Sequence, residues 1–590
     1  MKINHLPVRR FSVVSALLGV LAVAAVFAVT ASAAGAAAKP MAAKYAGHVS
    51  IVTRLSTNRH QLPSGIVASN SFVACQGTTP LIPTGPCPLQ PPVDTGSPFG
   101  ATSLVPDARA SHFAARSNPI LGANFMGITD LSQRVYTHFH YTPPDQGLCV
   151  GPAAPYKAAG VPLSYNNIPT PAGQTVVTEM TNDGWAIFDT SGHTLFSDSN
   201  ADLFSDANSS GDPECNYDAK TRTYFFTEIG APNNVYYTTN LAVISPHGYG
   251  AYAVDTSDGA GYCFPDFPHQ GYDTNAVYIT INEFCGQGET YAGSSIFAIS
   301  KAQLVHLTKS VTSTSWSLGS NYYSFRPATG GTTTEYLLAS EQNAATQHML
   351  DVAWVNGDKT LTTGGALPVL SVTSIRSERY SEPVAAQSTG DDTTCVFNFG
   401  AWCSVPEKTL DPVDMRLEQV QQSNGLLFTD LSTSMTVGKD PTVVDGAAWF
   451  VVDPVKLKVV KQSYVGAANT YILMPSFVQS AFDTTGKYNH YVMSFSMTGP
   501  KLNPSTGYVV SKNSGKTFSR IATTGAGTGP HVSFSTFQPG YMRRRWGDYS
   551  RIAIDPATGS VWSADEWIPG GPDGADQIDN WGTEVWQLTP

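Results

Sequence analysis

A hairpin with an acidic residue at each end recurs along the chain, and this repeat limits the fold more than any other feature. Three copies run from Asp212 to Glu228, from Asp266 to Glu283 and from Asp548 to Glu566. In each copy an acid opens one strand, a turn follows around Asp218, Asp273 or Asp555, and the second strand ends on Glu. Antiparallel strands joined by a short turn place the first residue of one beside the last residue of the other. Each hairpin is therefore predicted to carry two carboxylates at one end.

The same pattern extends to four further segments. Asp414 to Asp430 fits directly, and Asp145 with Glu179 fits if the first unit has a longer loop. The segment RPATGGTTTEYLLASE ends on Glu341, and VQSAFDTTGKYNHYVMSFS has serine where the second acid would stand. One or two more strands follow each hairpin, which gives about seven units of roughly four strands. We predict an all-β fold, a β-propeller of seven four-stranded blades, with six or eight blades as the alternatives.

The N-terminal part differs from this repeat. Residues 1–33 combine a basic start, an apolar run and an Ala-Ser-Ala site, which is typical of a signal peptide. An uncleaved membrane anchor is the alternative, because the apolar run is about long enough to span a bilayer. Residues 34–140 are rich in Ala, Pro, Ser and Thr and are interpreted as an extended leader or stalk. The propeller is predicted over residues 141–590, in a protein that is secreted, displayed on the cell surface, or periplasmic in a Gram-negative source.

Charge and cysteine content limit the partners and the compartment. Removal of residues 1–33 takes away Lys2, Arg9 and Arg10, so the net charge changes from −11 to −14. This acidity argues against nucleic acid and anionic membranes as partners. Eight cysteines in an exported chain indicate disulfides. Nearest-neighbour pairing predicts Cys75–Cys87, Cys149–Cys215, Cys263–Cys285 and Cys395–Cys403. Zinc is the rival interpretation, but the chain has no CxxC.

A short segment late in the chain resembles a known repeat. The segment from Ser511 to Phe518, SKNSGKTF, resembles the Asp-box, the bacterial neuraminidase repeat of sialidase-like propellers, with Asn513 where that motif prefers Asp. The wider pattern resembles a largely uncharacterised group of secreted bacterial propeller proteins. The resemblance implies a fold and no reaction. A sialidase would also need three arginines around a substrate carboxylate, and Arg326 in SFRPATGG is only loosely similar to one of its motifs.

In a propeller the first strand of each blade lines a central channel, so the repeated acids predict an acidic channel face. The expected ring at the channel mouth is Asp145, Asp212, Asp266, Asp414 and Asp548. Just outside it we expect Glu179, Glu228, Glu283, Glu341, Asp430 and Glu566. Carboxylates this close repel one another and require compensation. Three kinds remain open: hydrogen bonds from backbone N–H groups that lock the ring, a hard cation, or catalysis by an unlike pair of acids. Ca²⁺ is the candidate cation, at Asp145, Asp212, Asp266 and Asp548.

Blade seven has the most distinctive local sequence. Three arginines precede Trp546 and Asp548, and Trp567 follows Glu566. The tryptophans are candidates for a sugar-stacking platform, with burial between blades as the alternative. Should the face be catalytic, the candidate residues are Asp212, Asp548, Glu566 and Arg545. Histidines such as His269 have no partner at metal or triad spacing.

These observations favour a binding or scaffold module that acts outside the cell on a glycan or a protein. The alternative is a glycan-active enzyme, a hydrolase or a lyase, that uses carboxylates of the channel face. A catalytic site should have one deep pocket with an unlike pair of acids, whereas a binding module should have equivalent acids around the ring.

Overall fold

The computed structural model describes residues 39–41, 45–51, 121–138, 141–160, 173–209, 211–231, 237–256, 263–286, 290–389, 409–480, 490–533, 545–575 and 579–588. The predicted signal peptide, the Cys75–Cys87 and Cys395–Cys403 pairs, and Arg543 and Arg544 lie outside these residues. The described chain forms seven antiparallel sheets of four principal strands each, arranged as the blades of a propeller. The predicted fold class and the blade count of seven are therefore confirmed.

Each blade is a meander of consecutive strands. Three strands precede blade one: β1 (Lys39–Met41), β2 (Tyr45–Ile51) and β3 (Leu121–Thr129). Blade one contains β4 (Gly147–Pro152), β5 (Thr175–Met180), β6 (Gly184–Asp189) and β7 (Thr194–Ser199). Blade two contains β8 (Glu214–Asp218), β9 (Thr223–Gly230), β10 (Thr238–Ser245) and β11 (Gly248–Val254). Blade three contains β12 (Cys263–Tyr272), β13 (Ala276–Cys285), β14 (Thr290–Ser300) and β15 (Ser310–Gly319).

The remaining blades follow the same plan. Blade four contains β16 (Arg326–Pro327), β17 (Glu335–Ser340), β18 (Thr346–Asn356) and β19 (Val369–Ser381). A small ribbon follows, of β20 (Ala386–Gln387) and β21 (Thr409–Leu410). Blade five contains β22 (Leu417–Ser423), β23 (Leu426–Thr436), β24 (Val443–Asp453) and β25 (Lys458–Val465). Blade six contains β26 (Tyr471–Ser480), β27 (His490–Gly499), β28 (Leu502–Ser511) and β29 (Ala522–Thr523). Blade seven contains β30 (Arg551–Ile554), β31 (Val561–Trp567) and β32 (Gly582–Leu588).

The helices are short and lie between strands. They are α1 (Asp130–Thr137), α2 (Ala154–Ala159), α3 (Asn200–Phe204), α4 (Lys301–Val305), α5 (Thr360–Thr363) and α6 (Gly571–Gly574). No helix in the described ranges has both the length and the apolarity that a bilayer span requires.

The first strands of the blades contact one another in sequence around the ring, and β30 of blade seven meets β4 of blade one. The ring closes through β3, which pairs with β32 and supplies the fourth strand of blade seven. This strand lies before residue 141, where we expected the propeller to begin. A capping box at Thr129 and Ser132 then starts α1 immediately after β3.

The predicted hairpins form because an aspartate organises the turn in each of them. The Asp218, Asp273 and Asp555 carboxylates each accept a hydrogen bond from the backbone N–H two residues further on, at 3.0, 2.7 and 2.9 Å. This is the Asx-turn, in which a short side chain replaces a backbone acceptor. The register then runs antiparallel from these turns along β8–β9, β12–β13 and β30–β31. The hairpin prediction is confirmed for all three.

The hydrophobic core is divided into layers between adjacent blades. One layer joins Phe225 and Leu241 of blade two to Val277 and Ile299 of blade three. Because every blade is covered on both faces, its central strands are apolar on both sides; all eight residues of β9 are buried, for example. Because the blade faces are apolar, polar side chains collect in the channel.

Two of the predicted disulfides are confirmed. Cys149–Cys215 joins the first strands of blades one and two, and Cys263–Cys285 joins the paired strands β12 and β13. Covalent links between neighbouring first strands stabilise the ring near the channel.

The turn between β28 and β29 is built by Ser511 and Asn513. Ser511 Oγ accepts a hydrogen bond from the Gly515 N–H at 2.8 Å, and Asn513 Oδ1 accepts one from the Thr517 N–H at 3.0 Å. The turn lies in an outer hairpin, away from the channel, so this segment is a folding element.

Candidate functional site

Three aspartates from three blades converge at one end of the channel. Asp145 lies two residues before β4, Asp212 two residues before β8, and Asp548 three residues before β30. One carboxylate oxygen from each lies within 4.8 Å of the other two. The three residues are only 1%, 6% and 3% exposed. We call this end of the channel, where the first strands begin, the acidic end.

Hydrogen bonds between blades hold two of these carboxylates in place. Asn182 donates from Nδ2 to Asp145 Oδ2 at 2.8 Å, and its Oδ1 accepts from the Asp212 N–H at 2.9 Å. The Asp548 N–H donates to Asp145 Oδ1 at 2.5 Å, and the Phe267 N–H donates to Asp212 Oδ2 at 2.8 Å. Backbone N–H groups of one blade thus bind the carboxylate of its neighbour, as the structural alternative describes.

The electrostatics of the acidic end are unfavourable for full ionisation. Burial, together with the charges of Asp548 and Asp212, raises the pKa of Asp145 well above its usual range. Arg545, which is 11% exposed, donates from Nη2 to Asp548 Oδ2 at 2.7 Å. One guanidinium group offsets one of the three negative charges, which leaves a net excess of acid.

Glu566 of β31 adds a fourth carboxyl group beside these three. It is buried, and neither of its oxygens accepts a hydrogen bond from the described part of the chain. A Cβ at Gly547 would lie 3.5 Å from Glu566 Oε2 and 3.7 Å from Asp145 Oδ1, so both oxygens border the same glycine. Burial and the neighbouring Asp145 charge raise the pKa of Glu566 well above its usual range.

The other predicted ring acids lie apart from this group. Asp266 does not belong to the described trio, because β12 bulges between Asp266 and His269 and turns the Phe267 N–H toward Asp212. Of the four residues predicted to bind Ca²⁺, Asp266 is therefore the one outside the described trio. Asp414 forms an ion pair with Arg416, with Arg416 Nη2 at 2.8 Å from Asp414 Oδ2.

Five of the six predicted outer acids are buried in second strands, whereas Glu341 follows β17 and is only partly buried. Within the described chain, three of the five accept side-chain hydrogen bonds. Glu179 accepts from the Ile128 N–H at 2.8 Å, which ties blade one to the closing strand β3. Glu228 accepts from Asn200, Ser209 and Gly211, and Glu283 accepts from Ser295. Burial raises the pKa of Glu179 to about 7 and that of Glu228 well above its usual range. Asp430 is buried with no hydrogen-bond partner among the described residues.

The tryptophans of blade seven do not form an open platform. Trp546 is 1% exposed and packs edge-on against His531, with the ring centroids 5.1 Å apart. Trp567 is partly buried and lies against Gly525. Trp546 therefore fills the space between blades, as the alternative interpretation holds, and its ring is closed to a ligand.

A second polar layer, which contains Glu214, Arg326, Arg551 and His269, lies deeper in the channel. No pattern in the sequence had indicated it. Glu214 Oε1 is 2.9 Å from Arg326 Nη1, 3.0 Å from Arg551 Nη1 and 2.6 Å from His269 Nδ1. Burial by itself would raise the pKa of Glu214, but Arg551, His269 and Arg326 lower it to about 2. His269 thus has partners that sequence spacing did not reveal. Strand alternation gave no signal here, because β8 begins only at Glu214 and Asp212, two residues earlier, has a positive φ.

Aromatic rings lie between this second polar layer and the acidic end. The Arg326 guanidinium lies 4.6 Å from the Phe267 ring centroid and 5.3 Å from that of Tyr549. Tyr549 donates to the Pro213 carbonyl at 2.9 Å and so spans from blade seven to blade two. Arg326, Arg416 and Arg551 are each in an ion pair with Glu214 or Asp414.

Comparison with protein-family models gives no match, and comparison with curated proteins gives none either. Among solved structures, a Trypanosoma rangeli sialidase is 11% identical with a TM-score of 0.31, over 64% of this chain and 54% of that chain. A Hadza microbial sialidase is 10% identical with a TM-score of 0.30, over 70% of this chain and 73% of that one. A polysaccharide lyase is 9% identical with a TM-score of 0.32, over 72% and 90%. The chain thus spans about half the length of the Trypanosoma sialidase. These values are too low to transfer an activity or a ligand to this protein.

Proposed function

We propose that the protein is an exported binding module whose acidic end holds a divalent cation, Ca²⁺ in preference to Mg²⁺, and presents it to an extracellular glycan or protein. The observation that carries the proposal is the convergence of Asp145, Asp212 and Asp548 within 4.8 Å while all three are buried. The two disulfides support an oxidising compartment.

The chemistry of the site favours Ca²⁺ over Mg²⁺. The three carboxylates bring several oxygen ligands together, and Ca²⁺ accepts six to eight oxygens in irregular arrangements, whereas Mg²⁺ demands near-ideal octahedral geometry and keeps several waters. Glu566 supplies further oxygens next to Asp145, and its lack of a hydrogen-bond partner in the described chain leaves them available.

The excess of negative charge at the acidic end also favours a bound cation. Arg545 offsets one carboxylate, and the raised pKa values of Asp145 and Glu566 indicate that the site resists further negative charge. A bound Ca²⁺ would ionise these acids and release their protons, so cation affinity should increase with pH.

Calorimetric titration of the metal-free protein with Ca²⁺ and, separately, with Mg²⁺ tests the proposal, alongside thermal unfolding in EDTA. We expect Ca²⁺ to bind and to raise the melting temperature, and Mg²⁺ to do so weakly. Asp212→Asn should abolish this response. The matched control is Asp266→Asn, the corresponding acid of blade three, which should retain it. If Ca²⁺ gives no binding heat and EDTA leaves the melting temperature unchanged, the proposal is wrong.

Catalysis on a glycan is the alternative, and the same variants address it. Product formation from a panel of neutral and acidic glycans that stops in Asp548→Asn, with the fold retained, would favour an enzyme. Asp145 and Glu566 are not the unlike pair that acid–base catalysis needs, since both are buried and both have raised pKa values.

A further inference from the structure

The channel also contains a cavity at the end opposite the acidic end. The cavity has a volume of about 160 Å³ and is lined by residues of six of the seven first strands, together with Thr329 and Gly330 just after β16. Its lining residues lie later in those strands than the acids do: Tyr217 follows Asp212 by five residues, which is about 16 Å of extended chain. Phe267 and Tyr549 occupy the channel between the two ends. The cavity is thus distinct from the proposed cation site.

The charge of the cavity lining is balanced. Arg551 is the one ionic side chain among the described lining residues. It donates to Glu214 Oε1 at 3.0 Å and to Asn216 Oδ1 at 2.7 Å, so its charge is already neutralised. The polar remainder consists of amide, hydroxyl and phenol side chains. A charged ligand would lose its hydration here without gaining an opposite charge, whereas a neutral polar ligand would not incur this cost.

The amide groups are held rigidly, which favours binding. Gln421 Oε1 accepts from the Gln479 N–H at 2.9 Å, and Gln421 Nε2 donates to the Gln479 carbonyl at 3.3 Å. Gln419 exchanges the same pair of bonds with the Ile552 backbone, at 3.3 and 3.0 Å. Side chains that are already ordered lose little entropy when a ligand arrives.

One acceptor in this lining lacks a donor. Gln422 Oε1 is buried, and no described residue donates to it. The Gln422 backbone N–H donates to the Thr329 carbonyl at 2.8 Å, which anchors the backbone of this residue at the cavity. A buried acceptor without a partner costs about 1–3 kcal/mol, and a ligand hydroxyl would relieve this cost.

The volume of the cavity and its aromatic side chains limit further the kind of ligand that it can hold. A cavity of about 150 Å³ holds one six-membered ring. Tyr217 and Tyr272 line the cavity, and the Tyr272 hydroxyl donates to the Tyr217 carbonyl at 2.9 Å, which fixes the two rings relative to each other. Phenol rings next to amide groups match a molecule with apolar ring faces and hydroxyl edges. We propose that this cavity binds a single neutral hexose, free or as the terminal unit of a neutral glycan, with Gln422 Oε1 accepting a hydroxyl.

Saturation-transfer NMR and calorimetry on the full chain test this, with D-glucose, D-galactose and D-mannose as neutral probes and D-glucuronate and D-glucosamine as charged ones. At least one neutral hexose should bind and both charged sugars should bind more weakly. A neutral disaccharide with the same terminal unit distinguishes a free sugar from a chain end. Gln422→Met keeps the side-chain length and removes the acceptor, so it should weaken binding about fivefold. Gln387→Met, at an exposed glutamine on β20, is the matched control and should bind normally.

Two variants separate this proposal from the cation site. Asp212→Asn should lose the Ca²⁺ response and keep the hexose response, and Gln422→Met should show the reverse. The hexose proposal is overturned if no neutral hexose binds, if the charged sugars bind equally well, if Gln422→Met binds as the wild type does, or if Asp212→Asn abolishes the sugar signal.

Discussion

Two buried glutamates lie in the deeper channel layer. We expect replacement by glutamine to cost much more stability at one of them than at the other. Glu214 and Glu418 both lie on first strands and are each 1% exposed. Glu214 is surrounded by Arg326, Arg551 and His269, which lower its pKa to about 2 in spite of burial. Burial holds the pKa of Glu418 well above its usual range, and neither of its oxygens has a hydrogen-bond partner in the described chain. The surroundings of Glu214 therefore favour its ionised form, and those of Glu418 favour its protonated form.

Replacing Glu214 with Gln removes the counter-charge of two buried guanidinium groups. The lowering of its pKa from 4.5 to about 2 corresponds to about 3 kcal/mol, at about 1.4 kcal/mol for each pH unit. The cost of leaving buried charge without its partner, about 3–5 kcal/mol, agrees with this value. Glu418→Gln replaces a carboxyl group whose protonated form is favoured by burial with a neutral amide of nearly the same size, so it should cost about 1 kcal/mol or less.

Urea unfolding followed by fluorescence gives both free energies, provided that the m-values of the variants match that of the wild type. The Glu214→Gln penalty also has a defined pH dependence. The folded pKa is lower than the unfolded one, so this stabilisation is complete above about pH 4.5 and is lost as the pH falls through about 2. At pH 3 the penalty should fall to about 1.4 kcal/mol. Equal penalties for the two variants at pH 7, or a Glu214→Gln penalty that does not change with pH, would refute the reasoning.

Three further predictions concern the rest of the ring. Replacing the Cys149–Cys215 pair with serines should destabilise the protein by about 1 kcal/mol more than replacing the Cys263–Cys285 pair, because their sequence separations are 66 and 22 residues, and urea unfolding compares the two. Burial raises the pKa of Asp565 from 3.8 to about 7, so its contribution to stability is complete below the unfolded pKa and is lost as the pH rises to about 7; Asp565→Asn should remove a slope of about one proton from the stability–pH curve between about pH 4 and 7. Gly515→Ala should lower the melting temperature more than Gly425→Ala does, since both glycines have a positive φ but a Cβ at Gly515 alone meets a tryptophan ring, at 2.5 Å; equal losses would show that backbone strain accounts for the whole effect.

The blade pattern could be predicted because its causes are local in sequence. Three of the hairpins depend on an aspartate that caps its own turn two residues away, namely Asp218, Asp273 and Asp555. Seven hairpin units with apolar strands can bury their faces only against one another, which leads directly to a ring. The closing strand β3 gave no comparable signal, because it lacks a hairpin of its own and its partner β32 begins at residue 582.

The two ends of the channel were predicted less completely than the blades, because their geometry arises only when the ring closes. Asp145 and Asp548 are 403 residues apart, yet the backbone of one donates to the side chain of the other. Equivalence between blades correctly suggested that their acids face the channel, but it cannot foresee an irregularity such as the bulge after Asp266. Likewise, the contact between Glu214 and Arg551, 337 residues apart, depends on the meeting of blades two and seven across the channel.

The order of charges along the channel has a consequence for what can pass through it. A cation that enters from the acidic end meets Asp145, Asp212 and Asp548 first, then the Phe267 and Tyr549 rings, and then the guanidinium groups of the deeper layer. Those guanidinium groups would repel it, and the buried rings lie in its way. We therefore expect the proposed cation site at the acidic end to be terminal and not the mouth of a cation pathway. For the same reason, the opposite cavity should respond to its ligand independently of Ca²⁺, since the electrostatic and steric barrier between them belongs to the folded ring itself.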